Sequence, residues 1–206
     1  VMRGMQDGGV VACAKHFPGH GDTEVDSHKA LPVLKFPKER LDSVELYPFR
    51  RLIKDGVEMV MVGHLLVPVL DTLPASVSKV VVTDLLRKKM KFRGLIITDA
   101  LGMEGVLEPF GGSGAKATLA AYKAGVDILL MPDNVSESID LIVDYIGDDR
   151  RKLKDLDARV SRVLALKGKC GKLTGRDDLS VDPAAVDTKG TDALITTIEE
   201  TLAAGR

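Results

Sequence analysis

The chain has 206 residues, 45% of them hydrophobic, and a formal net charge of −1. This length supports one substantial hydrophobic core, and the near-neutral balance of charge is not that of a nucleic-acid-binding domain. No apolar run approaches the roughly 20 residues that a membrane-spanning helix requires. The two cysteines, Cys13 and Cys170, provide neither a disulfide framework nor a metal-binding motif. Composition therefore predicts a globular protein whose partner is neither nucleic acid nor a membrane.

The first part of the chain is predicted to form two strand–helix units. Residues 10–14 are β-branched or small and apolar on both faces, which predicts a buried strand of a parallel sheet. After a Gly-rich polar loop, Pro37 is placed to begin a helix that stops at Gly56. A second buried strand is predicted over residues 57–62, and a helix capped by Ser78 follows it. Each unit thus passes from a buried strand into an amphipathic helix.

Two further units follow in the same pattern. Residues 94–98 predict a third strand, and a helix is expected over residues 115–124, closed by a glycine. Residues 126–131 predict a fourth strand, followed by helices over residues 136–146 and 153–167. The spacing suits strand–helix repeats that are joined in parallel by right-handed crossovers.

Polar residues stand at the carboxyl ends of all four predicted strands. Lys15 and His16 follow the first, and His64, Asp99 and Asp133 follow the next three. Barrels and open parallel sheets place their chemistry at this edge. Because no glycine-rich fingerprint for a dinucleotide opens a helix, we expect the α/β fold to be a (β/α) barrel of the TIM type. A complete barrel has eight strands, so four units are only half of one.

Two motifs resemble those of one enzyme family. Residues 15–28, KHFPGHGDTEVDSH, resemble the signature of glycoside hydrolase family 3 in its β-N-acetylhexosaminidase branch. Residues 94–103, GLIITDALGM, resemble the nucleophile segment of the same family. The resemblance extends over residues 1–172 and implies the last four strand–helix units of the family's barrel. Residues 173–206 are predicted to be a C-terminal tail with a short helix.

The resemblance implies a retaining glycosidase that removes terminal β-N-acetylglucosamine from a small carbohydrate, without a cofactor or a metal. Such an enzyme needs a nucleophile and a group that serves first as acid and then as base. The family's nucleophile corresponds to Asp99. Its acid/base group corresponds to His28, which Asp26 is implied to orient. A histidine near its unperturbed pKa can give and take a proton at neutral pH.

The remaining site residues are assigned to substrate binding by the same resemblance. Lys15 and His16 are implied to bind sugar hydroxyl groups, His64 is implied to line the pocket, and Met103 is implied to shape its wall. From its sequence position alone, His64 could equally be a buried histidine whose hydrogen bonds are satisfied within the core.

Four alternatives remain open at this stage. A zinc-dependent hydrolase could use His16, His20, Asp26 and His28 as ligands, although their spacing matches no zinc motif. A histidine acid/base also admits phosphate as the acceptor, which leaves a phosphorolytic N-acetylglucosaminidase possible. A β-glucosidase of the family takes its acid from a second domain, and we expect no such domain within these 206 residues. Finally, half of a barrel predicts a chain that is inactive alone, or that needs a missing N-terminal half or a second copy to close the barrel.

Overall fold

The computed structural model describes residues 1–21 and 31–170. The predicted acid/base dyad, Asp26 and His28, and the predicted C-terminal tail lie outside the described residues. No helix in the described part of the chain is both long enough and apolar enough to cross a membrane.

The described residues form an α/β structure around a small parallel sheet. Its strands are β1 (Cys13–Phe17), β2 (Met59–Val62) and β3 (Leu95–Thr98), in the order β1-β2-β3. Met59 of β2 is opposite Cys13 on one side and Leu95 on the other, so all three strands begin at the same level. The predicted second and third strands are therefore confirmed.

The first strand begins three residues later than the sequence pattern indicates. Residues 10–14 are apolar, but Val10 is 55% exposed, and its N–H donates to the Met5 carbonyl (2.9 Å) at the end of an N-terminal helix. The ladder with β2 begins only at Cys13 and continues, with an irregularity after Ala14, to Phe17. The predicted range 10–14 is therefore wrong, because sheet pairing rather than local hydrophobicity fixes the strand.

The predicted fourth strand over residues 126–131 is reduced to an isolated parallel bridge between Ile97 and Ile128. Side chains replace two of the hydrogen bonds that a ladder would use. The Asp127 carboxylate accepts from the Ile96 N–H (2.8 Å), and the Thr98 hydroxyl oxygen accepts from the Leu130 N–H (3.0 Å). The segment still runs beside β3, but it does not form a regular strand.

Helices connect and cover the strands. In chain order, the α-helices of the described residues are α1 (Met2–Asp7), α2 (Lys38–Arg40), α3 (Leu46–Lys54), α4 (Glu104–Leu107), α5 (Gly114–Ala124), α6 (Val135–Ile146) and α7 (Arg150–Lys169). A π-helical segment, Leu41–Glu45, joins α2 to α3, and a longer one, Val80–Lys89, follows β2. Short 3₁₀ turns form over Ala75–Val77 and Glu108–Phe110.

The predicted helix boundaries agree with the helix-capping interactions. The Ser78 hydroxyl oxygen accepts from the Val81 N–H (3.1 Å) at the start of the π-helical segment. Gly125 ends α5 in a left-handed conformation with φ of 108°, which suits a residue without a Cβ. Pro37 precedes the first helical residue, Lys38, instead of being it. Within residues 1–21 and 31–170, the predicted helical segments are thus confirmed, with shifts of a few residues at their ends and with π-helix over Leu41–Glu45 and Val80–Lys89. The predicted short helix of the C-terminal tail lies outside the described residues.

The core lies between the sheet and the surrounding helices. Strands β2 and β3 contribute their Val and Ile side chains, and the helices contribute Leu, Ala and Phe. The ring of Phe17 packs edge-on against Phe49 of α3, with 5.1 Å between ring centroids. Residues buried in this way fix the strands, so the residues that follow the strand ends are held on a rigid support.

Candidate active site

The candidate site lies at the carboxyl end of the sheet, where β1 and β3 bring two predicted residues together. Asp99 directly follows β3, and His16 is the fourth residue of β1. The His16 Nε2 atom lies 3.6 Å from the Asp99 Oδ2 atom. Both side chains are partly exposed, His16 by 27% and Asp99 by 19%. Residues 83 positions apart in the sequence are therefore neighbours at an accessible edge.

The backbone around Asp99 holds one carboxylate oxygen and leaves the other available. The Asp99 N–H donates to the Val62 carbonyl (3.0 Å), which ties the residue to the end of β2. Oδ1 accepts from the Ala100 N–H (2.9 Å). Oδ2 faces His16 at 3.6 Å, a distance too long for a hydrogen bond. One carboxylate oxygen is thus held by the backbone, while the other lies nearest to His16.

The surroundings of His16 favour its neutral form. Partial burial is the main cause that lowers its pKa below the usual value, and Lys15 and His20 act in the same direction, while the Asp99 carboxylate opposes them. The His16 and His20 rings lie edge to face with 5.7 Å between their centroids. A neutral ring can donate one hydrogen bond and accept another, which suits the binding of a hydroxyl group.

Lys15 and His16 lie within β1 rather than after it. Lys15 is exposed and His16 is intermediate in exposure. The ladder with β2 is irregular between Ala14 and Phe17, so the regular alternation of side chains along a strand does not hold here. Both residues line the same cavity beside β1.

A cavity of about 510 Å³ opens beside β1 and includes His16, Lys15 and His20 in its wall. Glu45 also lines it and was not predicted. This carboxylate is 7% exposed, and its Oε1 accepts from the Arg40 Nε (3.3 Å). Among the described residues, its Oε2 has no hydrogen-bond partner.

A sequence signal for Glu45 did exist. Leu41, Glu45 and Phe49 are four residues apart and are all buried, so an acidic residue occupies the apolar stripe of the predicted helix. Gly19 allows the loop after β1 to approach Glu45 closely. With φ of 140° at this position, a Cβ would lie 2.7 Å from the Glu45 Cβ.

His64 is placed below the loop that follows β3, and it is only 1% exposed. Its Nδ1 lies 2.6 Å from the Ser76 Oγ, and its Nε2 lies 2.9 Å from the Ala100 carbonyl oxygen. Burial lowers the pKa of His64 below its usual value. Both ring nitrogens are thus engaged by the protein, and Ser76, which the sequence pattern did not indicate, is the second new residue of the site.

Met103 and Asp133 frame the loop after β3. Met103 is 9% exposed, and its N–H donates to the Ala100 carbonyl (3.1 Å). Asp133 does not cap α6; that role belongs to Asn134, whose side chain accepts from the Glu137 N–H (3.2 Å).

In the part of the chain that the structure covers, no group of three or more His, Cys, Asp or Glu residues could hold a metal ion.

Comparison with known proteins identifies relatives over most of the chain. The family model described as "Glycosyl hydrolase family 3 N terminal domain" matches residues 1–166. A curated protein of Pseudoalteromonas piscicida, named Beta-hexosaminidase A, is 32% identical over 190 residues. That match covers 82% of this chain and 31% of the relative.

Solved structures are also similar to this protein over most of its length. A glycoside hydrolase family 3 β-N-acetylglucosaminidase from a Paenibacillus species superposes with a TM-score of 0.79 at 37% identity, covering 88% of this chain and 35% of that one. A β-glucoside phosphorylase superposes with a TM-score of 0.76 at 27% identity, covering 90% of this chain and 35% of that one. The chain therefore spans about a third of the length of these relatives.

Proposed function

The chain belongs to glycoside hydrolase family 3, and from that membership we propose that it carries the nucleophile of a retaining β-N-acetylglucosaminidase. The named relatives support this choice, because they include a β-hexosaminidase and a β-N-acetylglucosaminidase. The proposed substrate is a small carbohydrate that ends in β-linked N-acetylglucosamine. Retaining hydrolysis proceeds through a covalent glycosyl-enzyme, which requires a carboxylate at the anomeric carbon.

The observation that carries the proposal is the arrangement of Asp99. Its Oδ1 is held by the Ala100 N–H, and its Oδ2 faces His16 at the open edge of the sheet. In the first step, Oδ2 forms a bond to the anomeric carbon as the glycosidic C–O bond breaks and the leaving oxygen takes a proton from the acid. In the second step, water loses a proton to the same group and displaces Asp99 from the sugar.

The proposed acid/base group is His28, with Asp26 as the residue that orients its ring. Both lie outside the described residues, so their assignment rests on the motif over residues 15–28. The chemistry favours a histidine because its unperturbed pKa is near neutrality, whereas a carboxylic acid would need a raised pKa to serve as an acid there. An acidic neighbour stabilises the imidazolium that forms in the second step.

Lys15 and His16 are proposed to bind sugar hydroxyl groups, and Met103 is proposed to shape the wall. The neutral ring of His16 supports this assignment, since it offers one donor and one acceptor beside Asp99. The exposed ammonium of Lys15 supplies up to three further donors at the cavity. The low exposure of Met103 and its hydrogen bond to Ala100 support a structural role next to the nucleophile.

We further propose that the described region forms the last part of a (β/α)₈ barrel. The parallel order of β1, β2 and β3 supports this, with the residues around Ile128 alongside β3. Among the described strands, β1 pairs on one side only. Because the relatives are about three times longer, the proposed activity requires the rest of a longer polypeptide or a second copy of the chain. The chain alone is then expected to be weakly active or inactive.

The proposal is tested by hydrolysis of p-nitrophenyl N-acetyl-β-glucosaminide, and by trapping with a 2-fluoro sugar that forms a stable glycosyl-enzyme. Asp99→Asn is expected to lower kcat by at least about a thousandfold, since the amide is not a nucleophile. The control is Asp84→Asn, which changes an exposed carboxylate paired with Lys88. A covalent adduct on the peptide that contains Asp99 supports the mechanism. Near-normal turnover by Asp99→Asn would overturn it.

Phosphorolysis is the second candidate function, favoured by the similarity to a β-glucoside phosphorylase. A histidine acid/base is neutral before it takes a proton, so it does not repel an incoming phosphate as a carboxylate would. Phosphate would then displace Asp99 in the second step and give a sugar 1-phosphate. Product analysis with and without inorganic phosphate separates the two reactions, because only phosphorolysis yields that product.

A further inference from the structure

We propose that His64 and Ser76 are positioning residues, which hold the loop of the nucleophile through a fixed pattern of hydrogen bonds. In this role, His64 acts on Asp99 through Ala100 and does not bind the sugar itself. The inference rests on the proposed function, because it takes Asp99 as the nucleophile. It adds Ser76 to the site, a residue to which neither the motifs nor the family match assigns a role.

Burial separates this pair from solvent and from substrate. Ser76 is 0% exposed and His64 is 1% exposed, so neither presents a polar atom to a ligand. Ser76 lies in the 3₁₀ turn Ala75–Val77, which is anchored by the Ala75 N–H donating to the Leu65 carbonyl (2.8 Å). The turn therefore carries the Ser76 hydroxyl to the ring of His64 at a fixed place after β2.

The hydrogen-bond partners determine where the proton of the ring lies. The Ala100 carbonyl can only accept, so Nε2 of His64 must carry the hydrogen and donate to it (2.9 Å). In a neutral ring, Nδ1 is then an acceptor, and the Ser76 hydroxyl donates to it (2.6 Å). The chain of donors thus runs in one direction, from Ser76 through His64 to Ala100.

This series of hydrogen bonds ends on Ala100, the residue that orients the nucleophile. The Ala100 carbonyl accepts from His64 and from the Met103 N–H, and the Ala100 N–H donates to Oδ1 of Asp99. Fixing Ala100 on both sides fixes the side-chain torsion of Asp99, which leaves Oδ2 facing His16. Small displacements of a nucleophile from its productive geometry cost large factors in rate. We therefore expect the pair to affect kcat and to leave KM nearly unchanged.

Kinetic tests separate this positioning role from direct sugar binding. Ser76→Ala removes the donor to Nδ1 and is expected to lower kcat about tenfold with KM within twofold. His64→Gln keeps an N–H near the position of Nε2 and is expected to retain more activity than His64→Met, which has no donor. The matched control is Ser138→Ala, since Ser138 of α6 is also buried but donates to the Asn134 carbonyl, far from His64 in the sequence. A raised KM at unchanged kcat, or equal activity of Gln and Met at position 64, would overturn the proposal.

A spectroscopic test on the full chain does not depend on turnover. The ¹⁵N signals of the His64 ring are expected to report a protonated Nε2 and an unprotonated Nδ1 at pH 7.5. In Ser76→Ala, amide hydrogen exchange is expected to accelerate at Asp99 and Leu101, while the core of β2 stays protected. A ring protonated at Nδ1, or unchanged exchange at both amides, would overturn the proposal. The proposed function fails if the completed barrel neither hydrolyses the substrate nor forms the trapped adduct. Because the spectroscopic test needs no turnover, it still decides the positioning role in that case.

Discussion

His16 and His64 share a lowered pKa, with burial as the main cause in both. For His64, Asp99 raises the pKa and His16 lowers it, so burial outweighs the nearby carboxylate. A neutral buried histidine binds fewer protons in the folded state than in the unfolded state near and below the usual pKa of 6.5. Its contribution to stability is therefore complete above that value and is lost as the pH falls from there through the folded-state pKa.

We accordingly predict that the free energy of unfolding falls between pH 7.5 and pH 5, and that His64→Gln weakens this dependence. Urea unfolding at several pH values measures the difference in slope between the two proteins. The comparison uses slopes because the substitution also changes the stability at every pH. Parallel curves for the wild type and His64→Gln would contradict the prediction.

Sequence patterns could identify some residues of the site but not others. Asp99 and His16 lie in motifs, and the structure brings them within 3.6 Å of each other. Ser76 carries no such signal, because its role depends on a histidine 12 positions away and on a fold that buries both. Glu45 interrupts the apolar stripe of a predicted helix, so the sequence carries a signal for it, but its place in the wall of the cavity depends on the fold. Roles that arise from tertiary neighbours are thus the ones that local patterns miss.

At the scale of elements, the segment beside β3 is held by side chains together with a few backbone hydrogen bonds, among them the Thr98 N–H to the Ile128 carbonyl (3.1 Å). The side chain of Asp127 is fully buried, and its carboxylate accepts from Arg87 (2.6 Å), from Arg162 (2.6 Å) and from the Ile96 N–H (2.8 Å). Arg87 belongs to the π-helical segment and Arg162 to α7, so one carboxylate joins two helices to the sheet. The apolar residues around Asp127 predicted a strand. The hydrophobic pattern could not show that a buried carboxylate would replace part of the hydrogen bonding of that strand.

We predict that Asp127→Ala lowers the free energy of unfolding by about 3 kcal/mol, because it leaves two partly buried arginines without their carboxylate. Urea unfolding measures the effect. The control is Asp84→Ala, which removes an exposed pair with Lys88 on the same π-helical segment and is expected to change stability little. Equal losses in the two variants would show that Asp127 does not join the helices in the way described.

At the scale of the whole molecule, α6 presents apolar side chains to solvent. Val135, Ile139 and Val143 are four residues apart on one face, and each is more than half exposed. A ridge of this kind favours association with other apolar surfaces. The parallel strands and their helices could be predicted from sequence periodicity, whereas the exposure of this ridge could not, since the same stripe is also expected of a helix that packs against a core.

The last prediction concerns this ridge. We expect the chain to self-associate as its concentration rises, and Ile139→Glu to weaken the association without lowering the free energy of unfolding, because Ile139 is 55% exposed. Sedimentation velocity over a range of concentrations measures the first effect, and urea unfolding measures the second. Ile146→Glu is the contrasting variant, since Ile146 is 7% exposed on the same helix and a buried charge there is expected to unfold the protein. A wild-type chain that stays monomeric at all concentrations would contradict the prediction, and it would also count against a second copy as the completing part of the barrel.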